Sequence, residues 1–346
     1  VKEKYKAVLC AVLAPLFYAL NVPCSKTLLN GVPPAMLASL LYLGAGIGVG
    51  IMYIFHRPKE KAEERLDRKD LPYTVGMVVL DVLAPVLLMF GITMSSSSSA
   101  SLLGNFEIVA TTVIALLLFG EKVSGKLWVA VGLITLSSII LSFEGKGSLE
   151  FSKGSFLVIG ATVCWGLENN CTRSISEKSA YQIVTVKGIF SGLGSLAVAL
   201  AKGERISSLS YVPFALLLGF TAYGLSIFTY IKAQKILGAS KTSAYYALSP
   251  FISAFLSFVI LGEKLSLNYA VAFAVMTAGA VFAVRDTLGY SHTHEHSHTF
   301  THTHDGVTHT HTIVHSHSHN HYTGDSRHGH IHSHKELEKY HIMHSI

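Results

Sequence analysis

Residues 33–55 read PPAMLASLLYLGAGIGVGIMYIF, an apolar run with no charged side chain. A helix needs about 20 apolar residues to cross the hydrocarbon core of a bilayer, so this run is long enough to span one. Peptide groups in lipid have no water to bond, which forces a spanning segment to be helical. Gly44, Gly46, Gly48 and Gly50 suit close contact with a neighbouring helix. The same ruler, moved outward, marks further runs at 7–29, 72–92, 97–119, 124–143, 154–175, 179–201, 211–232, 239–261 and 265–284. The predicted fold class is therefore an all-α integral membrane bundle of ten transmembrane helices.

Composition agrees. The 346 residues are 50% hydrophobic and 14% charged, against about 25% charged in an ordinary soluble domain. The run at 7–29 is long enough to span and is followed by similar ones, so it reads as a membrane helix, not a cleaved leader. No Lys/Arg tract alternates with aromatics, and nucleic acid is not an expected partner. Cys10, Cys24, Cys164 and Cys171 sit in apolar runs without CxxC spacing, which predicts buried free thiols. No Ser/His/Asp order, P-loop or GxGxxG in a strand–helix context is present, so an enzyme is not expected.

Charge sets the orientation. With the amino terminus inside, the inner loops carry seventeen Lys/Arg and the outer loops five, the tail, Lys26 and Lys187 aside. Six of the seventeen come from HRPKEKAEERLDRKD at 56–70. The expectation is a protein of the cytoplasmic membrane with both termini in the cytoplasm.

An internal repeat organises the spans. FGEKVS at 119–124 recurs as LGEKLS at 261–266, and the same shift of 142 pairs Ser101 with Ser243 and Glu121 with Glu263. A shift of 147 pairs YALNVPCSK at 18–26 with WGLENNCTR at 165–173. Each half then holds five spans, and an odd number inserts the second half upside down. Inverted repeats of this kind characterise secondary transporters, with the substrate site near the midplane between the halves. The predicted domains are 1–143 and 144–285, one five-helix repeat each, and a tail at 286–346.

These hexamers, the paired first and sixth spans and SPFISAFLSFVILGEK at 249–264 resemble the drug/metabolite transporter superfamily, EamA type. The resemblance covers about residues 7–285. It implies a ten-helix transporter of small metabolites, often outward. In that family proline is usual in the middle of the fourth and ninth helices; Pro250 fits, whereas Glu107-Ile108 takes the matching place in the first half. Lys187 stands where the family often has a basic residue.

Ionisable groups at membrane depth usually face the interior and mark a substrate or proton route. Asp81, Glu107, Glu168 and Lys187 are such groups. Glu107 and Glu168 are the candidates for binding a proton or a cationic substrate. Lys187 is their counter-charge or an anchor for a carboxylate. A structural ion pair locking helices together is the alternative. Tyr18, Asn21, Trp165 and Asn169 on the matched helices, with Tyr245 and Tyr246 in the ninth, are candidates to line a polar, aromatic pocket; packing and interface anchoring is the alternative. Glu121 and Glu263 are each expected to face the positive end of the helix that follows. Ser95–Ser99 reads as a polar turn entering span four. Pro15, Pro23 and Pro85 are expected to kink their spans or act as hinges.

Of 19 histidines, 18 lie in 291–346. They fall as HxH series through His292, His294, His296, His298, His302, His304, His309, His311, His315, His317, His319, His321, His328, His330, His332 and His334. The polar composition predicts a disordered tail. Imidazoles in such numbers suit Zn, Ni, Co or Cu, although the transport cycle calls for no cofactor. The expected partners are the bilayer, a small-molecule substrate and divalent metal ions, with a homodimer also admitted. Two other readings stay open: a divalent-metal transporter and a non-transporting metal sensor.

Overall fold

The computed structural model describes residues 2–119, 124–142, 152–175, 177–237, 242, 245–263, 266–287, 290–304 and 307–321. The chain divides into two units, 1–286 and 287–346.

The first unit is helical. In chain order it contains α1 (Lys2–Ala19), α2 (Asn21–Leu28), α3 (Pro34–His56), α4 (Leu71–Met94), α5 (Ser97–Leu103) and α6 (Phe106–Phe119). Then come α7 (Gly125–Ser142), α8 (Lys153–Ser174), α9 (Ala180–Ala201), α10 (Tyr211–Gly219), α11 (Ser226–Leu237), α12 (Ser249–Leu261) and α13 (Leu267–Thr287). Among the described residues, six helical stretches are long and apolar enough to cross a membrane: Tyr5–Leu28, Pro34–His56, Ala62–Met94, Ala180–Ala201, Tyr211–Ala233 and Leu267–Arg285. The other four expected runs fall on helices that are interrupted, shorter or more polar. Large apolar side chains such as Leu16, Ile51, Leu83, Phe190, Leu217 and Phe255 face outward, as lipid-facing residues do.

Several expected spans are not continuous helices, and proline explains the first. Pro23 has no N–H to offer the carbonyl of Ala19, four residues back. The helix accordingly breaks at Leu20, whose amide bonds Phe17 O at 3.4 Å, a tighter turn. The matched position in the repeat is Asn170, which keeps its N–H, and α8 runs through unbroken. Pro250 stands in the first turn of α12, not mid-helix; a missing N–H costs nothing there. Span eight holds a π-helical turn at Phe220–Leu225 between α10 and α11.

Glycine sets how closely the helices approach. A Cβ on Gly188 of α9 would stand 2.3 Å from the backbone nitrogen of Gly46 in α3. That separation is below any real contact, so both positions must lack a side chain. The two helices meet backbone to backbone, as small residues allow in membranes.

The loop after α3 is tied down. Ser179 N donates to Glu64 O at 2.7 Å, Leu66 N donates to Gln182 Oε1 at 2.7 Å, and Lys178 pairs with Asp67 and Asp70 at 3.3 Å each. All four cysteines are free, and they are half-buried, not buried.

The second unit holds two strands over part of the tail read above as disordered. Strands β1 (Tyr290–His304) and β2 (Val307–His321) pair antiparallel. Alternation of His, mostly with Thr or Ser, has the two-residue period of a strand, and β-branched Thr favours it. The register sets His292 opposite His319, His294 opposite His317, His296 opposite His315 and His302 opposite His309. His328, His330, His332 and His334 lie outside the described residues, as does Glu121.

Candidate functional site

Lys187 organises the buried polar residues of the first unit. It projects from α9 and is 6% exposed. Its Nζ lies 3.0 Å from Asp81 Oδ2, on α4, and 2.9 Å from Glu168 Oε1, on α8. Asp81 is fully buried and Glu168 nearly so. A charge at this depth is tolerated because each member is paired.

Neutral donors complete the two carboxylates. Tyr42, on α3, donates its hydroxyl to Asp81 Oδ1 at 2.9 Å. Thr172, one turn beyond Glu168, donates to Glu168 Oε1. A connected line therefore runs from Tyr42 through Asp81 and Lys187 to Glu168 and Thr172.

Glu107 is held differently. It lies on α6, and Asn169 Nδ2 of α8 donates to its Oε1 at 2.6 Å. Among the described contacts that amide is its hydrogen-bond partner, with no cation in direct contact. Two carboxylates thus flank the ammonium, and a third is held by Asn169, the residue next to Glu168.

Aromatic rings close one side. The break at Leu20 frees Asn21 to donate from Nδ2 to the Tyr223 hydroxyl at 2.8 Å, while Ser25 donates to Asn21 Oδ1 at 3.2 Å. The Tyr223 ring lies 4.9 Å from Tyr42 and 5.8 Å from Tyr18, and Tyr18 lies 5.7 Å from Tyr246. Tyr223 stands in the π-helical turn, a distortion that often marks functional positions.

A chain whose two halves meet at one buried charge cluster invites comparison with membrane transporters. A model of the EamA-like transporter family matches residues 5–143 and, a second time, 152–285. The chain belongs to the EamA-like transporter family. It is a multi-pass membrane transporter.

This EamA-like transporter is 26% identical over 288 residues to an "uncharacterized transporter" of Methanothermobacter thermautotrophicus, covering 78% of this chain and 83% of that one. It is 23% identical over 228 residues to an "uncharacterized transporter" of Clostridium kluyveri, covering 63% and 73%. The "uncharacterized transporter YyaM" of Bacillus subtilis is 22% identical over 228 residues, covering 62% and 74%. A crystal structure at 18% identity shares the fold, with a TM-score of 0.59 over 80% of this chain and 95% of the other.

Most of the polar and aromatic positions expected of the transporter's site come together: Tyr18, Asn21, Asp81, Glu107, Trp165, Glu168, Asn169, Lys187 and Tyr246. Tyr245 stands apart. Among the described residues no hydrogen bond or ring contact ties its side chain to the others. Sequence reading missed Tyr42, Tyr223, Thr172 and Ser25. Tyr42 did leave a signal: it sits eight residues into its helix, well inside the depth where interfacial tyrosines belong. Thr172, Ser25 and Tyr223 left none.

Glu263 differs from expectation. Its carboxylate does not face the start of α13, the helix that follows. Its Oε1 and Oε2 accept the backbone N–H groups of Ser97 and Ser98, at 2.6 and 2.9 Å, at the head of α5 in the other half. Gly262, with φ +63°, ends α12 in the left-handed conformation that turns the chain back.

Proposed function

We propose that this EamA-like transporter is a secondary exporter of small organic metabolites or amino acids. It acts across the cytoplasmic membrane as ten spans in two inverted five-helix repeats, with both termini inside. One observation carries the reading: two buried carboxylates and one ammonium, with a half-buried third carboxylate and an edge of tyrosines, lie where helices of both halves meet. Asp81, Lys187 and Glu168 satisfy one another, which favours a counter-charge role for Lys187. Glu107, held by an amide, is then the carboxylate to carry a proton or the positive end of a substrate. The tyrosines and Trp165 supply apolar walls with polar tips, suited to an amphipathic solute.

The full chain in proteoliposomes, tested against a solute panel with and without a proton gradient, decides the matter. Gradient-dependent flux of an organic solute is expected. Absence of flux for every solute would favour a non-transporting sensor or scaffold.

The 18 histidines of 291–346 favour a tail that binds Zn, Ni, Co or Cu, and they support divalent-metal transport as a second reading. Deleting the tail separates the two. Lost metal flux with unchanged metabolite flux favours metal transport; unchanged flux of both leaves the tail an accessory.

A further inference from the structure

The interface between α5 and α12 differs in kind from the rest of the bundle. Where α3 meets α9, Gly46 and Gly188 touch without room for an intervening atom. Where α5 meets α12, the contact is made by hydroxyls. Ser97 Oγ lies 2.9 Å from Ser257 Oγ, and Ser101 Oγ lies 3.0 Å from Ser253 Oγ. All four serines are buried. Above them the Glu263 carboxylate holds the amides of Ser97 and Ser98. Lys26 of α2 closes the same turn from the other side, donating to Ser95 O at 2.7 Å and to Ile92 O.

Each hydrogen bond lost between serines is replaced by one to water, which is why such bonds contribute only about 0.5–1.5 kcal/mol net. Separating α3 from α9 would break the Ser39 Oγ–Gly192 O bond and, in addition, a backbone-close glycine contact that water does not replace. The hydroxyl interface is thus the one able to open and reclose reversibly.

It also leads along the chain to Glu107, ten residues beyond Ser97 and across the turn at Gly104–Asn105 that separates α5 from α6. We infer that Glu263, with Ser97, Ser101, Ser253 and Ser257, forms a releasable latch that closes one mouth of the pathway leading to Glu107. This rests on the transporter reading above. Glu263 is a gating group and has no contact with the buried ammonium or its partners among the described residues. The carboxylate grips backbone N–H groups, so the grip is independent of the side chains at 97 and 98. The two serine pairs set the register beneath it.

The test reads access, so it needs no known substrate. The full-length protein, its four cysteines replaced by alanine, receives one reporter, Asn169→Cys, beside Glu107. A membrane-impermeant maleimide is applied from the face bearing residue 263. Glu263→Ala is expected to raise the labelling rate at least tenfold. In a second variant, Ser101→Cys and Ser253→Cys are oxidised to a disulfide with copper phenanthroline. Labelling is then expected to fall below that of the parent, even with Glu263→Ala present, and to return on reduction. Labelling at the parent rate in Glu263→Ala, or undiminished labelling with the disulfide formed, overturns the latch. The transporter reading fails separately, on absence of flux in the unmodified protein.

Discussion

Tyr42 points its one hydroxyl hydrogen at Asp81 Oδ1 across 2.9 Å, and Asp81 has no exposed surface. Hydrogen bonds to a buried charged group contribute about 1.5–3 kcal/mol. Tyr42→Phe keeps the ring against Tyr223 and removes that bond alone. Thermal unfolding in detergent should show a loss of this size, and Tyr53→Phe, at the loop end of the same helix, a smaller one.

Lys187 touches two carboxylates, so its removal leaves both without their cation. Breaking one side of a buried ion pair costs about 3–5 kcal/mol. Lys187→Met should therefore unfold far more readily than the parent. Adding Asp81→Asn and Glu168→Gln should recover part of the loss, because neutral groups need no counter-charge. A triple variant no more stable than Lys187→Met would show that the lysine acts mainly through packing.

Glu107→Gln preserves shape and the contact with Asn169 but cannot take up or release a proton. The protein should fold with parent-like stability and lose gradient-driven flux by at least tenfold. Flux at the parent rate would remove Glu107 from the transport cycle.

Gly188→Val places atoms where the Gly46 backbone already stands. The α3–α9 contact should open, with a stability loss of several kcal/mol and poor membrane yield. Gly132 of α7 provides the control, since a Cβ there meets nothing within 4 Å. Gly132→Ala should be neutral or stabilising by up to about 1 kcal/mol through helix propensity. Melting curves of the two purified variants distinguish a packing glycine from an idle one.

Removing residues 291–346 should abolish retention on immobilised nickel and the Zn measured by elemental analysis after dialysis. Organic-solute flux should stay within twofold of the parent. A large fall in that flux would tie the tail to the transport cycle.

Hydropathy made the membrane class readable because lipid imposes length and apolarity on every span. The duplicated GEK turns made the two halves readable for the same kind of reason: few residues end a membrane helix. The charged site residues were equally visible, since Asp81, Glu107, Glu168 and Lys187 are rare at such depth. What stayed hidden depends on pairing in space. Nothing local to Glu263 says that it bonds Ser97 and Ser98, 166 and 165 positions away. Tyr223 depends on an extra residue in one helical turn, which periodicity does not record. The tail was read from its polarity, which argues against a packed core, while its two-residue alternation of His with Thr or Ser carried the strand period.

The single imino acid at position 23, answered by an ordinary amide at Asn170, has a consequence for energetics. On the reading proposed above, two inverted halves of identical build would leave the inward-open and outward-open forms degenerate. One broken and one intact helix would lift that degeneracy. The transporter would then favour one of the two forms at rest, and the solute or ion would supply the work of the return stroke.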